Sequence, residues 1–108
     1  MTKTKELVLT YFQAWEMRDW EKMRSCLSSN FKIDGGQIQF KSIEDFIAFC
    51  KSGPSWSKIT LLDVLFLDTK AALLYERMTP TGEKIRVGEF LTIDQNKIIH
   101  SKMALSLG

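Results

Sequence analysis

Cysteine, proline and histidine are scarce in this chain of 108 residues: two, two and one respectively. Cys26 and Cys50 have neither a CxxC spacing nor a histidine nearby, so no metal centre, redox motif or cofactor is expected, and both thiols read as buried and free. No glycine-rich phosphate loop, metal cluster or nucleophile paired with His100 is visible, which argues against triad hydrolysis and metal chemistry. Charge of one sign is also lacking. Fifteen basic residues face thirteen acidic ones, net +2, without the clustered Lys and Arg of a nucleic-acid footprint, so no nucleic-acid partner is expected. No apolar run approaches the ~18 residues that span a bilayer, and the opening "MTKTKELVLTYFQAW" lacks an apolar core ending in a small-residue cleavage site. The expectation is a cytoplasmic protein with no membrane association.

What is present, 44% hydrophobic and 26% charged residues, has the balance of one compact domain over residues 1–108. Leu7, Val8, Tyr11, Phe12 and Trp15 recur at helical spacing, with Thr4 or Thr2 as the cap. Asp19 restarts the chain into a short helix through Trp20, Met23 and Leu27 that runs to a Ser28-Ser29-Asn30 break. "FKID", Gly35-Gly36 and "QIQF" read as a bent extended pair. Ser42 with Asp45 resembles a capping box for a third helix carrying Ile43, Phe46, Ile47 and Cys50, and Gly53-Pro54 ends it. The period then changes to two in four β segments: Lys58 to Leu67, Ala71 to Met78, Lys84 to Ile93 and Lys97 to Leu107. This order predicts an α+β fold, a cone-shaped, curved, mixed or antiparallel sheet wrapped around about three helices from the N-terminal half. "LLDVLFL" is apolar at both parities apart from Asp63, so both its faces should be covered, one of them by a second subunit.

Glu89 is the anomaly in this pattern, because alternation puts it on one face with Ile85, Val87, Leu91 and Ile93. A three-residue Asp94-Gln95-Asn96 loop would pair Leu91 with Ile99, Glu89 with Ser101, Val87 with Met103 and Ile85 with Leu105. Shifting by one would set Glu89 opposite Lys102 and Leu91 opposite His100, leaving aliphatic residues against polar ones, so the first register is preferred. It turns His100 and Lys102 away from the interior. A turn with Pro80 at its second position and Gly82 in the left-handed region places Leu73, Tyr75 and Arg77 on the face of Glu89. A tighter Thr81-Gly82 turn would place Leu74 and Glu76 there instead, and both remain open. Trp56 is a loop residue able to cover a pocket.

The stretches "YFQAWEMRDWEKMRSCL", "FKSIEDFIAF" and "GEFLTIDQNKIIHSKMAL" resemble the nuclear-transport-factor-2-like superfamily, especially its SnoaL-like polyketide-cyclase and ketosteroid-isomerase-like branches. The resemblance implies a conical pocket between the sheet and the first helix, a homodimer formed through the sheet, and a small apolar carbonyl or hydroxyl compound as ligand. It places Tyr11 at the position of an oxyanion-binding tyrosine and Glu89 at that of a pocket acid. The isomerase base would align at Gly35, beside Asp34, which is the third catalytic candidate. Trp15, Tyr75, Leu91 and Met103 are the expected pocket walls. The implied activity is a cofactor-independent isomerase, cyclase or dehydratase; the alternative is a non-catalytic ligand-binding or dimerisation module.

Overall fold

The computed structural model describes residues 2–34, 40, 42–52, 59–78 and 81–107. The Gly35-Gly36 bend, the Gly53-Pro54 stop and Trp56 lie outside the described residues. In chain order the elements are α1 (Thr2–Glu16), α2 (Trp20–Ser25), β1 (Leu27–Asp34), α3 (Ile43–Lys51), β2 (Ile59–Phe66), β3 (Lys70–Met78), β4 (Lys84–Asp94) and β5 (Lys97–Leu107). The five strands form one open, curved sheet ordered β1-β5-β4-β3-β2, parallel between β1 and β5 and antiparallel elsewhere.

Helix α1 buries Val8, Tyr11, Phe12 and Trp15 along one stripe, the i, i+3, i+4, i+7 pattern of an amphipathic helix. Burying an aliphatic or phenyl side chain of this size contributes about 1.5–3 kcal/mol. Thr4, expected as a possible cap, lies inside the helix instead. Its hydroxyl is buried and donates to the Asp68 carbonyl at 2.6 Å, which ties α1 to the β2–β3 turn. The helix ends in a left-handed Arg18 (φ 57°), with Arg18 N–H bonded to Trp15 O and Asp19 N–H to Ala14 O. These two bonds are a Schellman motif made without glycine. Asp19 then caps α2 by accepting from Lys22 N–H at 3.2 Å.

Helix α2 stops at Ser25, earlier than expected, and Leu27 to Asn30 belong to β1. The polar Ser28-Ser29-Asn30 run is tolerated because β1 is an edge strand whose pairing comes from β5 alone. Helix α3 is capped as expected, the Ser42 hydroxyl accepting from Asp45 N–H at 3.2 Å. Ser42→Ala should cost about 1 kcal/mol. Urea unfolding would register this as a lower midpoint with unchanged slope, and an unchanged midpoint would deny the cap an energetic role.

Strands β3 and β4 alternate as read. Ala71, Leu73, Tyr75 and Arg77 of β3 are buried, as are Ile85, Val87, Glu89, Leu91 and Ile93 of β4. The wider β3–β4 turn prevails, with Gly82 at φ 89°, and Leu73 lies directly opposite Glu89. Glu76 therefore faces outward, where it pairs with Arg86 at 2.9 Å.

The last hairpin differs from the expected register. Gln95 and Asn96 both adopt positive φ (50° and 60°), the geometry of a two-residue type I′ turn that pairs Asp94 with Lys97. A bulge at Ile99 follows, after which Thr92 pairs with His100, Leu91 with Ser101 and Glu89 with Met103. Beyond the bulge the pairing has slid by two residues from expectation, so every side chain keeps its face.

Candidate functional site

The site is built on the concave face of β3, β4 and β5. Glu89 has Leu73 opposite it on β3 and Met103 opposite it on β5. Tyr75 and Ser101 lie one diagonal step away on the same face, a separation that long side chains bridge. The Tyr75 hydroxyl donates to Glu89 Oε1 at 2.6 Å, and the Ser101 hydroxyl donates to Oε2. Both carboxyl oxygens are thus held, and Glu89 is only 2% exposed. Arg77, the next inward residue of β3, lies within electrostatic reach of Tyr75 and lays its guanidinium 4.3 Å from the centre of the Trp15 ring. From α1, Tyr11 packs edge-on against Phe12 and Trp15 and lies within electrostatic reach of Glu89.

Burial sets the protonation states. Desolvation raises the Glu89 pKa above that of an ordinary carboxyl, opposed by the Ser101 and Tyr75 hydrogen bonds and by the charge of Arg77. Burial, reinforced by Glu89, holds both Tyr11 and Tyr75 well above the usual phenol value, so both are neutral hydroxyls. The Arg77 pKa is lowered by desolvation, and burial pushes the Cys50 thiol up to about 12. An ionised Glu89 accepts from both hydroxyls. A protonated Glu89 must turn one of these bonds around, and the hydroxyl so relieved of donating becomes free to donate elsewhere.

Tyr11, Trp15, Tyr75, Glu89 and Leu91 come together in one buried cluster, and Met103 packs half-buried against it. The Trp15 Nε1–H finds no acceptor among the described residues. The expected cavity lining is therefore contiguous, but the two larger described concavities open elsewhere. One of about 660 Å³ is bordered by Phe31, Asp34, Phe40 and His100. The other, about 370 Å³, lies between α1, α2 and the β4–β5 turn.

Asp34 does not join the cluster. It is exposed at the end of β1, beside Lys102 in the sheet, while its neighbour Ile33 is buried next to Ser101. Strand alternation thus turns the Asp34 carboxyl to the face away from Glu89. Ser101 and Arg77 are the members that reading the sequence did not select. Their only signal was parity, since each shares a face with Glu89 once the turns on either side of β4 are known.

No protein-family model matches the sequence, and no curated protein matches it. The fold does match solved structures. A candidate ketosteroid isomerase from Kribbella flavida superposes with a TM-score of 0.87 at 18% identity, covering 100% of this chain and 81% of that one. A nuclear-transport-factor-2-like protein of unknown function from Cytophaga hutchinsonii gives 0.84 at 15% identity, covering 95% and 89%. A candidate isomerase of the SnoaL-like family from Agrobacterium tumefaciens gives 0.76 at 14% identity, covering 98% and 99%. The chain has the nuclear-transport-factor-2-like fold.

Proposed function

We propose that this protein is a small-ligand-binding member of that fold. Its ligand is a largely apolar compound whose carbonyl or hydroxyl oxygen is held by the Tyr75–Glu89–Ser101 centre once the side chains packed over that centre part to admit it, since the described concavities open elsewhere. The observation that carries this reading is the occupation of both Glu89 oxygens by hydroxyls, on a face where no second carboxylate stands among the described residues. One buried acid that cycles between donating and accepting suits recognition of an oxygen in an apolar setting. Proton transfer between two carbons needs in addition a base placed at the ligand, and the Asp34 and Glu76 carboxylates both face away. The isomerase reading keeps one specific support, a Glu89 pKa raised by burial near the neutral Tyr11, which is similar to the tyrosine and neutral carboxylic acid that stabilise an oxyanion in ketosteroid isomerases.

Titration with the apolar ketone 2-tetralone, in deuterated buffer, separates the two. Binding should move the amide resonances of Tyr75, Glu89 and Ser101, with deuterium entering the ketone no faster than in buffer. Exchange that is accelerated, and abolished in Glu89→Gln, would make the protein an enzyme. No shift up to the solubility limit of the ketone would remove the binding reading.

We also propose a homodimer through the convex face of the sheet. Leu65, Ala72 and Phe90 form one row across β2, β3 and β4, and Leu74, Gly88 and Ala104 form the next. Phe90 is 59% and Leu65 60% exposed, a patch that single chains seldom leave to water. Its border carries both signs, Asp63 and Glu76 with Lys84, Arg86 and Lys102, so it is complementary to a copy of itself turned about a two-fold axis.

A further inference from the structure

We infer that the concavity between α1, α2 and the β4–β5 turn binds the phosphate group of a small phosphomonoester. Three lysines converge on it from three separate elements: Lys3 from α1, Lys22 from α2 and Lys97 from the start of β5. None of the three is ion-paired with a carboxylate among the described residues, although other basic side chains of the chain are. Lys97 is fixed in place by donating to the Ser25 carbonyl at 2.5 Å, a contact that orients its ammonium and leaves its charge intact.

One carboxylate, that of Glu6, borders the same space, so the lining carries a net charge of +2, equal to that of the whole chain. The lining is thus net positive at a concave place, where a low-dielectric wall focuses the field on a counter-ion. Helix α1 accentuates this, having no acidic residue in its first turn, where the helix dipole favours one, and having Lys3 there instead. Lys22 and Lys97 both border the concavity beside Cys26, whose thiol each influences electrostatically. Asn96 and Thr10 add neutral polar groups to the rim. Two net positive charges match the dianion of a phosphomonoester, whose second pKa is near 6. The volume of about 370 Å³ exceeds what the phosphate alone requires and leaves room for a small polar body within reach of Glu6.

The test uses glycerol 3-phosphate at pH 7.5, followed by amide NMR, with glycerol plus sodium chloride at matched ionic strength as the reference. Saturable shifts are expected at residues 3–7, 22–26 and 95–97. Lys22→Gln should weaken binding about tenfold, as loss of one charge-assisted bond implies. Glu6→Gln should tighten it about threefold by removing a like charge, an outcome that misfolding cannot imitate. Shifts equal to those of the chloride reference, shifts centred on Tyr75 and Glu89, or equal affinity in the lysine variant would each overturn the site. Binding to phosphatidic acid vesicles without binding to glycerol 3-phosphate would do the same, since it would assign the lysines to a lipid surface.

Discussion

Glu89→Gln is expected to fold, to match the parent in stability at pH 4, and to exceed it increasingly toward pH 8. The expectation follows from the direction of one titration. The folded-state pKa of Glu89 is raised, chiefly by burial, over an unfolded value near 4.3. Below that unfolded value the carboxyl is protonated in both states, and the stability it contributes is fully present. As pH rises, the unfolded chain releases its proton first, the native state holds the extra proton, and stability falls until pH has passed the folded value. Each unit by which the folded pKa exceeds the unfolded one removes about 1.4 kcal/mol over that interval. Glutamine has no proton to lose. Its carbonyl oxygen can accept from Tyr75 while its amide donates to the Ser101 oxygen, reproducing the hydrogen bonds of the protonated acid in nearly the same volume. Urea unfolding of both proteins at pH 4, 6 and 8 measures the difference, and carboxyl carbon shifts of the parent locate the titration directly. Parallel stability profiles would mean that Glu89 titrates in the folded protein as it does in the unfolded chain, with Arg77 and the two hydroxyls offsetting its desolvation.

Glu89 was legible as an inward carboxylate because alternation along a single strand decides it, and β4 is long and regular. Its partners were less legible because they come from other strands, 14 residues away for Tyr75 and 12 for Ser101. Which side chains meet across strands depends on turn geometry, and two turns behaved differently. The β3–β4 turn contains a glycine at the position that needs positive φ, and the reading built on that glycine put Tyr75 on the correct face. The β4–β5 turn places Gln95, a residue with no special liking for positive φ, at its first left-handed position, and nothing in "DQN" announces that. The bulge at Ile99 then restored parity, so the expected faces survived an incorrect set of pairs from His100 onward, while Ile98 rather than Ile99 took the inward place before it. The end of α2 failed for a related reason. Ser28-Ser29-Asn30 has the local chemistry of a loop, yet parallel pairing with distant β5 makes its backbone a strand. Trp15 and Tyr11 were read correctly as inward because the helical stripe is a local signal; the guanidinium stacked on Trp15 is a tertiary contact and left no such signal.

Sedimentation at micromolar concentration is expected to give a species of twice the 12.5 kDa chain mass, and Phe90→Glu should return it to the monomer. Phe90 stands near the middle of the convex patch, between Ala72 on β3 and Lys102 on β5. Small residues at 72, 88 and 104 leave a shallow floor beside the larger Leu65, Leu74 and Phe90, and a hollow of about 180 Å³ opens next to Leu65 and Leu74. A large side chain from a second copy fits such relief, and an aromatic at the centre of an interface is the residue whose loss costs most, about 2 kcal/mol or more, roughly thirtyfold in affinity. Glutamate at 90 is chosen because the single chain should accept it. The position is exposed, and Lys102 directly across the strand pair offers an opposite charge. Burying the same carboxylate against a second copy would instead carry an uncompensated desolvation cost on both sides of the two-fold axis, since each copy brings one. The variant should therefore unfold in urea at a midpoint that no longer depends on protein concentration, whereas the midpoint of the parent rises with concentration by mass action. A parent that sediments only at 12.5 kDa would refute the dimer. A Phe90→Glu protein that remains dimeric would move the interface off the convex face and leave the exposed Leu65, Leu74 and Phe90 without a partner in this assembly.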